Sequence, residues 1–157
     1  KRFNKLDLKK LNNKFLNSPK ISAHTSIIAK KQKIRNILKI FQKKFARKFN
    51  KVCIEGRDIG TVILPKADIK FFFMCNLEVA AMRRFKELKK TNKYVSLTEV
   101  KKAMRMRNKL DKNRKNSPLI QAENAVIVRT DKLKNIKGMV NKMSYVIDKK
   151  IKEKYGS

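Results

Sequence analysis

The stretch Val52-Cys53-Ile54-Glu55-Gly56-Arg57-Asp58-Ile59-Gly60-Thr61 carries a short β-branched run into an adjacent Arg-Asp pair bracketed by two glycines. Ligands of open α/β sheets sit outside the carboxyl ends of the strands, and glycine lets the backbone turn closely there without strain. A strand at Val52 is therefore expected to present Arg57 and Asp58 to a ligand. Arg57 can grip a phosphate, and Asp58 can accept a hydrogen bond from a base or a sugar.

Working outward, Ile69-Lys70-Phe71-Phe72-Phe73-Met74 is a short aromatic-rich run that predicts a second, mostly buried strand. Asn76 is placed to cap the helix that carries Arg83 and Arg84. Thr91-Asn92-Lys93-Tyr94 makes a polar break, and Ser96-Leu97-Thr98-Glu99 has the spacing of a capping box. That box opens a helix through Val100, Ala103, Met104 and Leu110, which Ser117-Pro118 is expected to end. Ala125-Val126-Ile127-Val128 predicts a third strand, and Ile136, Met139, Val140, Met143, Val146, Ile147 and Ile151 form a final helical stripe. Upstream, Ile27, Ile34, Leu38, Phe41 and Phe45 recur at helical intervals and lead into the strand at Val52. Residues Lys1 to Ser22 are polar and basic with scattered apolar positions, and predict a small mobile insert. Strands alternating with helices predict a parallel β-sheet flanked by helices, an α/β fold.

The 157 residues suit one domain that buries about two thirds of its extended-chain surface. With 43 Lys+Arg against 12 Asp+Glu the formal charge is +31, which attracts nucleotides, RNA or an anionic surface alike. Lysine greatly outnumbers arginine, and Asn and Ile are abundant, so a coding bias toward Lys, Asn and Ile accounts for that excess as readily as a binding face does. The arginines are the more informative cations, because a planar fork matches phosphate and base edges where lysine offers a point charge. Arg57, Arg83, Arg84, Arg105, Arg107 and Arg114 fall into three clusters.

Cys53 and Cys75 lie in or beside apolar runs without a partner motif, and predict buried thiols in a reducing cytoplasm rather than a metal site. No apolar run of about 18 residues is present. The chain opens at Lys1 rather than Met, and a fragment or processed form of a longer protein is expected.

Arg107, Asp111 and Arg114 stand at i, i+4 and i+7, one face of the helix opened by Ser96. An exposed intrahelical salt bridge, contributing about 0.3 to 0.5 kcal/mol, accounts for this as readily as a ligand site does.

The loop and its surroundings resemble bacterial cytidylate kinases. Their pattern GRD-hydrophobic-GT, followed by a hydrophobic run and Pro, is matched by Gly56-Arg57-Asp58-Ile59-Gly60-Thr61 and Val62-Ile63-Leu64-Pro65. Their Arg, Asp and Arg at the same spacing match Arg107, Asp111 and Arg114, and the text after them is similar to Asn113-Arg114 and Ser117-Pro118-Leu119. The resemblance implies that Arg57, Arg107 and Arg114 bind the phosphate of a nucleoside monophosphate, that Asp111 holds ribose hydroxyls and that Asp58 accepts the exocyclic amine of cytosine. An Asp acceptor beside an Arg donor is complementary to cytosine, whereas uracil would set a carbonyl and an N–H against the wrong partners.

Ser22-Ala23-His24-Thr25-Ser26 through Ile34-Arg35 resembles the stretch whose Ser and Arg touch the pyrimidine, matching Ser26 and Arg35. Nine residues apart, these two share a ligand only if the helix breaks near Lys30-Lys31-Gln32, where the family often has a proline at the position of Gln32. His24 is read as a structural or surface residue. Arg83 and Arg84 resemble the arginines at the base of the family's mobile lid, which close on the donor triphosphate and stabilise the transferring phosphoryl group; Arg105 is a weaker addition to that cluster.

What the resemblance implies for the whole is a cytoplasmic, monomeric, P-loop nucleoside monophosphate kinase-like protein that uses ATP with Mg2+ to phosphorylate CMP or dCMP, with no resident metal and no membrane attachment. Expected within one incomplete kinase domain over 1–157 are a remnant of the monophosphate-binding insert at 1–22, acceptor-binding helices and strand at 23–75, a lid region at 76–118 and a C-terminal strand and helix at 119–157. Donor phosphates require G-x-x-x-x-G-K-[ST], and the only glycines, Gly56, Gly60, Gly138 and Gly156, cannot form it. Little or no activity is expected of these residues alone. The family's first strand lies between those at Val52 and Ile69, so its absence is expected to leave two sheet edges unpaired and buried. Two rivals stand beside this: a basic RNA-binding module, favoured by the charge and by Phe and Tyr available for stacking, and a kinase for UMP or AMP.

Overall fold

The computed structural model describes residues 19–29, 31–90, 93–133 and 135–156. Most of the predicted insert, residues 1–18, and Thr91-Asn92 of the polar break lie outside the described residues. Within them the order is α1 (Pro19–Ile28), α2 (Gln32–Ala46), a π-turn (Ile59–Ile63), β1 (Phe71–Met74), α3 (Leu77–Lys89), α4 (Leu97–Lys112), β2 (Val126–Arg129), a 3-10 turn (Thr130–Lys132) and α5 (Ile136–Tyr155).

β1 and β2 pair in parallel, with Phe71 opposite Val126 and Met74 opposite Arg129. Helices α3 and α4 join in a hairpin that leaves the carboxyl end of β1, and α1 packs on α4. Buried apolar side chains are few: Ile63, Ala81, Leu88, Val100, Ala122 and Val128. They run from the π-turn through the hairpin to β2, and this thin core fixes the site.

The caps read from sequence are formed. The Asn76 side chain accepts from Glu78 N at 2.8 Å. Ser96 Oγ accepts from Glu99 N at 3.1 Å, and Ser96 N donates to Glu99 Oε2 at 3.2 Å, so the capping box is reciprocal. An ion pair from Lys101 in the second turn of α4 to Glu78 in the first turn of α3 ties the two helices.

Several expectations are corrected. The stripe from Ile27 to Phe45 belongs to two helices: α1 ends at Ile28, and Lys31, at φ −72° and ψ 114°, starts α2 without a proline. Pro19 to Ser22, assigned to the insert, form the first turn of α1. Val52–Gly56 carries no ladder, because no strand lies beside it among the described residues. The aromatic strand is half-covered rather than mostly buried: Phe73 is 49% exposed, Met74 38% and its neighbour Ile127 42%. Among the described residues the sheet has these two strands, so each keeps one unpaired edge, while Val128 within it is fully buried. Cys53 and Cys75 are exposed free thiols rather than buried ones. Helix α4 stops at Lys112, five residues before Ser117, because the chain folds back so that Leu119 N donates to Asp111 O at 2.8 Å.

Candidate phosphate and base site

Gly56 and Gly60 bound the loop for reasons of space, since neither has a positive φ. A Cβ at Gly56 would lie 2.7 Å from Ile59 Cγ1, and one at Gly60 would lie 3.2 Å from Ala122 Cβ. Between them the backbone winds into the π-turn: Val62 N and Ile63 N both donate to Asp58 O, at 2.9 and 3.2 Å, and Leu64 N donates to Ile59 O at 2.7 Å. Buried Ile63 anchors that turn. The result holds Arg57 and Asp58 still, with their side chains aimed at two different helices.

Asp58 meets α2, where its Oδ2 accepts an ion pair from Arg35 Nη2, both side chains being 13% exposed. The same guanidinium donates through Nη1 to Ala29 O at 3.2 Å, the carbonyl freed where α1 breaks. The break therefore has a structural function: it sets an unpaired helix-end carbonyl beside Arg35, and Arg35 carries the connection on to the loop. Ser26 lies in α1, in the segment that packs on α4, and its side chain lies outside the described residues.

Arg57 turns instead to α4. Its Nε lies 3.4 Å from Asp111 Oδ2, and its Nη1 donates to Asn108 Oδ1 at 3.3 Å. Arg107 Nε lies 3.8 Å from the same Asp111 oxygen, and Arg114 Nη1 lies 3.4 Å from Asp111 Oδ1. Asp111 is 4% exposed, so one buried carboxylate stands among three guanidinium groups. Arg114 is not part of the helical face predicted for it; it lies beyond the end of α4 and is returned to Asp111 by the fold-back, with its Nε donating to Ser117 O. Ser117 adopts φ 55°, a left-handed conformation rare for a residue with a Cβ, and its carbonyl is the one that Arg114 takes.

Electrostatics bind these pairs into one site. Burial holds the Arg57 guanidinium below its ordinary range, opposed by Asp111 and reinforced by Arg107 and Arg114. Burial also lowers Arg114, with Arg35 adding to the shift and Asp111 and Asp58 opposing it. Arg35 and Arg114 thus feel one another, although they belong to different halves of the site. The four arginines 35, 57, 107 and 114 outnumber the two carboxylates 58 and 111 by two charges. Asp111 Oδ2 and Arg114 Nη2 are buried with no hydrogen-bond partner among the described residues. An unsatisfied buried polar group costs about 1 to 3 kcal/mol, and a bound dianion with donors and acceptors of its own would recover it.

Arg83 and Arg84, expected at the base of a lid, stand apart from this cluster. Arg83, exposed on α3, donates to Thr130 O at 2.9 Å and Leu133 O at 3.4 Å, and its Nη1 is 4.0 Å from Cys75 Sγ. It sits at the carboxyl ends of the two parallel strands, where Thr130 Oγ1 donates to Met74 O at 3.3 Å. Arg84 reaches Glu87 Oε2 on its own helix at 2.7 Å. Arg105 is exposed on α4, and His24 is exposed on α1. Among the described residues no group of His, Cys, Asp and Glu is arranged to hold a metal ion, and no helix is long and apolar enough to cross a membrane.

Asn108 is the contributor that the motif did not reveal. Its signal lay in the helical period, since i, i+3 places it on the same face as Asp111.

A family model described as cytidylate kinase matches residues 4–149. The chain is 38% identical to a cytidylate kinase of Bartonella tribocorum over 82% of this chain and 60% of that protein. It is 37% identical to one of Geobacter sulfurreducens, over 84% and 56% respectively, and 37% identical to one of Clostridium tetani, over 88% and 61%. The chain therefore spans little more than half the length of these curated relatives. With the family model matching nearly the whole sequence, and these relatives 37–38% identical over more than four fifths of it, the chain belongs to the cytidylate kinase family.

Proposed function

We propose that this chain supplies the monophosphate-binding site and lid base of a kinase that transfers the γ-phosphoryl group of ATP to CMP or dCMP. The observation that carries this is the convergence of Arg57, Arg107 and Arg114 on buried Asp111, next to the Arg35–Asp58 pair. A surplus of two positive charges in a half-buried site is complementary to a phosphate monoester dianion. In this proposal Arg57, Arg107 and Arg114 hold the phosphate, and Asp111 takes the ribose through the oxygen that has no hydrogen bond. Asp58 takes the exocyclic amine of cytosine, oriented by Arg35, with Ser26 as a further base contact.

Arg83 and Arg84 are assigned to the donor triphosphate. To reach it they must leave the carbonyls and the carboxylate that hold them, which suits residues at the base of a moving lid. ATP enters with Mg2+ as its substrate form, and direct in-line transfer calls for positioning and charge rather than a covalent intermediate. These 157 residues contain no glycine-rich phosphate loop, so they are proposed to hold the acceptor firmly and to transfer little or nothing alone. The division into 1–22, 23–75, 76–118 and 119–157 follows the same proposal, as do a monomeric state and a cytoplasmic setting.

Calorimetric titration with CMP and then UMP at about 150 mM salt, where charges beyond about 8 Å are screened, tests the site. Saturable binding of CMP in preference to UMP is expected. Binding of RNA that collapses steeply with salt, without any saturable CMP binding, would favour the polyanion reading that the +31 charge suggests. Transfer from MgATP to CMP at an ordinary enzymatic rate by these residues alone would overturn the division of labour between acceptor and donor sides.

A further inference from the structure

We infer that Asn108 is a positioning residue that sets the Arg57 guanidinium for phosphate, a role that rests on the proposed phosphate site. Arg57 reaches α4 from a loop 51 residues before Asn108, and the contacts described for its guanidinium are made with α4 rather than with the turn beside it. One hydrogen-bond acceptor and one ion-pair partner on the same face of α4 hold the end of the side chain. Asn108 Oδ1 takes Nη1 at 3.3 Å, and Asp111 Oδ2 stands 3.4 Å from Nε. A guanidinium is planar, so two contacts on two of its nitrogens fix both its position and the direction in which the remaining N–H groups point. Asp111 alone would leave the fork free to pivot about Nε, and Asp111 is also shared with Arg107 and Arg114.

The chemistry at position 108 suits this task. An amide oxygen accepts from guanidinium without cancelling its charge, whereas each added carboxylate would take one from the surplus that attracts the phosphate dianion. Burial already holds Arg57 below its ordinary range, and Arg107 and Arg114 push it the same way. A neutral acceptor steadies the guanidinium against that repulsion at no cost in net charge. Asn108 is itself half-buried, which restricts competition from water.

The test uses the whole chain with Asn108→Leu, which keeps the side-chain size and removes the acceptor, and Asn108→Asp, which restores an acceptor. Folding of each is followed by circular dichroism and by the urea midpoint, and Asn108→Ala replaces the Leu variant should its midpoint fall. CMP and cytidine are titrated into each at about 150 mM salt. N108L is expected to bind CMP about tenfold more weakly, the scale of one hydrogen bond to a charged group, with cytidine binding unchanged. N108D is expected to keep the guanidinium in place but to bind CMP more weakly than the parent chain, because its added carboxylate takes one charge from the surplus. Equal CMP binding by N108L, or an equal loss for cytidine, would overturn the inference. No CMP binding by the unsubstituted chain would instead overturn the functional reading. The inference is then decided by hydrogen exchange of the Arg57 Nε–H, assigned by its disappearance in Arg57→Lys. Faster exchange in N108L that N108D slows again supports positioning, and unchanged exchange in N108L overturns it.

Discussion

The arginine cluster around Asp58 and Asp111 and the arginine pair on α3 are built on opposite plans. In the first, Arg35 from α2, Arg57 and Asp58 from the π-turn loop, Arg107 and Asp111 from α4 and Arg114 from the fold-back after it meet around two carboxylates. The charges are half or fully buried, and the cations outnumber the anions. In the second, Arg83 and Arg84 are neighbours on one helix, one bonded to backbone carbonyls of the turn after β2 and the other to a glutamate one helical turn on. The contacts described for the two are separate and lie at the surface. Under the proposed function, that difference suits a substrate gripped in a fixed seat and a lid parked until it moves.

Replacement of Asp111 by Ala breaks the comparison most severely. Three guanidinium groups would lose their common counter-charge, and a destabilisation of about 3 to 5 kcal/mol is expected from urea denaturation, the usual result of leaving buried charge uncompensated. A loss under about 1 kcal/mol would show that the cluster does not depend on that carboxylate.

Asp58→Ala leaves Arg35 its contact with Ala29 O and removes the proposed acceptor for the base. CMP binding should weaken by about 1.5 to 3 kcal/mol, with loss of preference over UMP. Calorimetry with both nucleotides decides it, and the assignment falls if affinity and preference both survive.

Arg83→Ala sharpens the contrast from the other side. About 1 kcal/mol of stability should be lost with its exposed backbone contacts, while CMP affinity stays within about twofold of the parent chain. A large loss of CMP affinity would mean that the two regions form one site.

Ser96→Ala removes the capping box at the far end of α4 and should cost about 1 kcal/mol by thermal or urea unfolding. The box also has a pH signature. Hydrogen bonds from the Ser96 side chain and backbone hold the Glu99 carboxyl below its ordinary range. A lowered folded-state pKa gives stabilisation that is present above the unfolded value and lost as pH falls through the folded one. Acid should therefore narrow the gap between the parent chain and S96A, read as converging denaturation midpoints. Smallest of all, Arg84→Ala should change stability by less than about 0.5 kcal/mol, because its ion pair with Glu87 is a surface i, i+3 contact. A larger change would show that Arg84 is held in place rather than parked.

The sequence by itself determined what is local. Helical periods, the Asn76 cap and the Ser96–Glu99 box depend on residues close in the chain, and the structure carries them within a few residues. Membership in the family was equally legible, because the resemblance rested on residues in sequence order, and the family model matches residues 4–149. Tertiary structure decided the rest. It made Asp111 the partner of Arg57 as well as of its own helix, drew in Asn108, returned Arg114 to the site by folding the chain back rather than by extending α4, and broke the first helix where no proline marks the place. It also exposed the aromatic strand and both thiols that hydrophobicity assigned to a core. The physical reason is common to all of these: a hydrogen bond within a turn is set by neighbours, whereas burial and long-range ion pairs depend on which surfaces the remainder of the fold brings together.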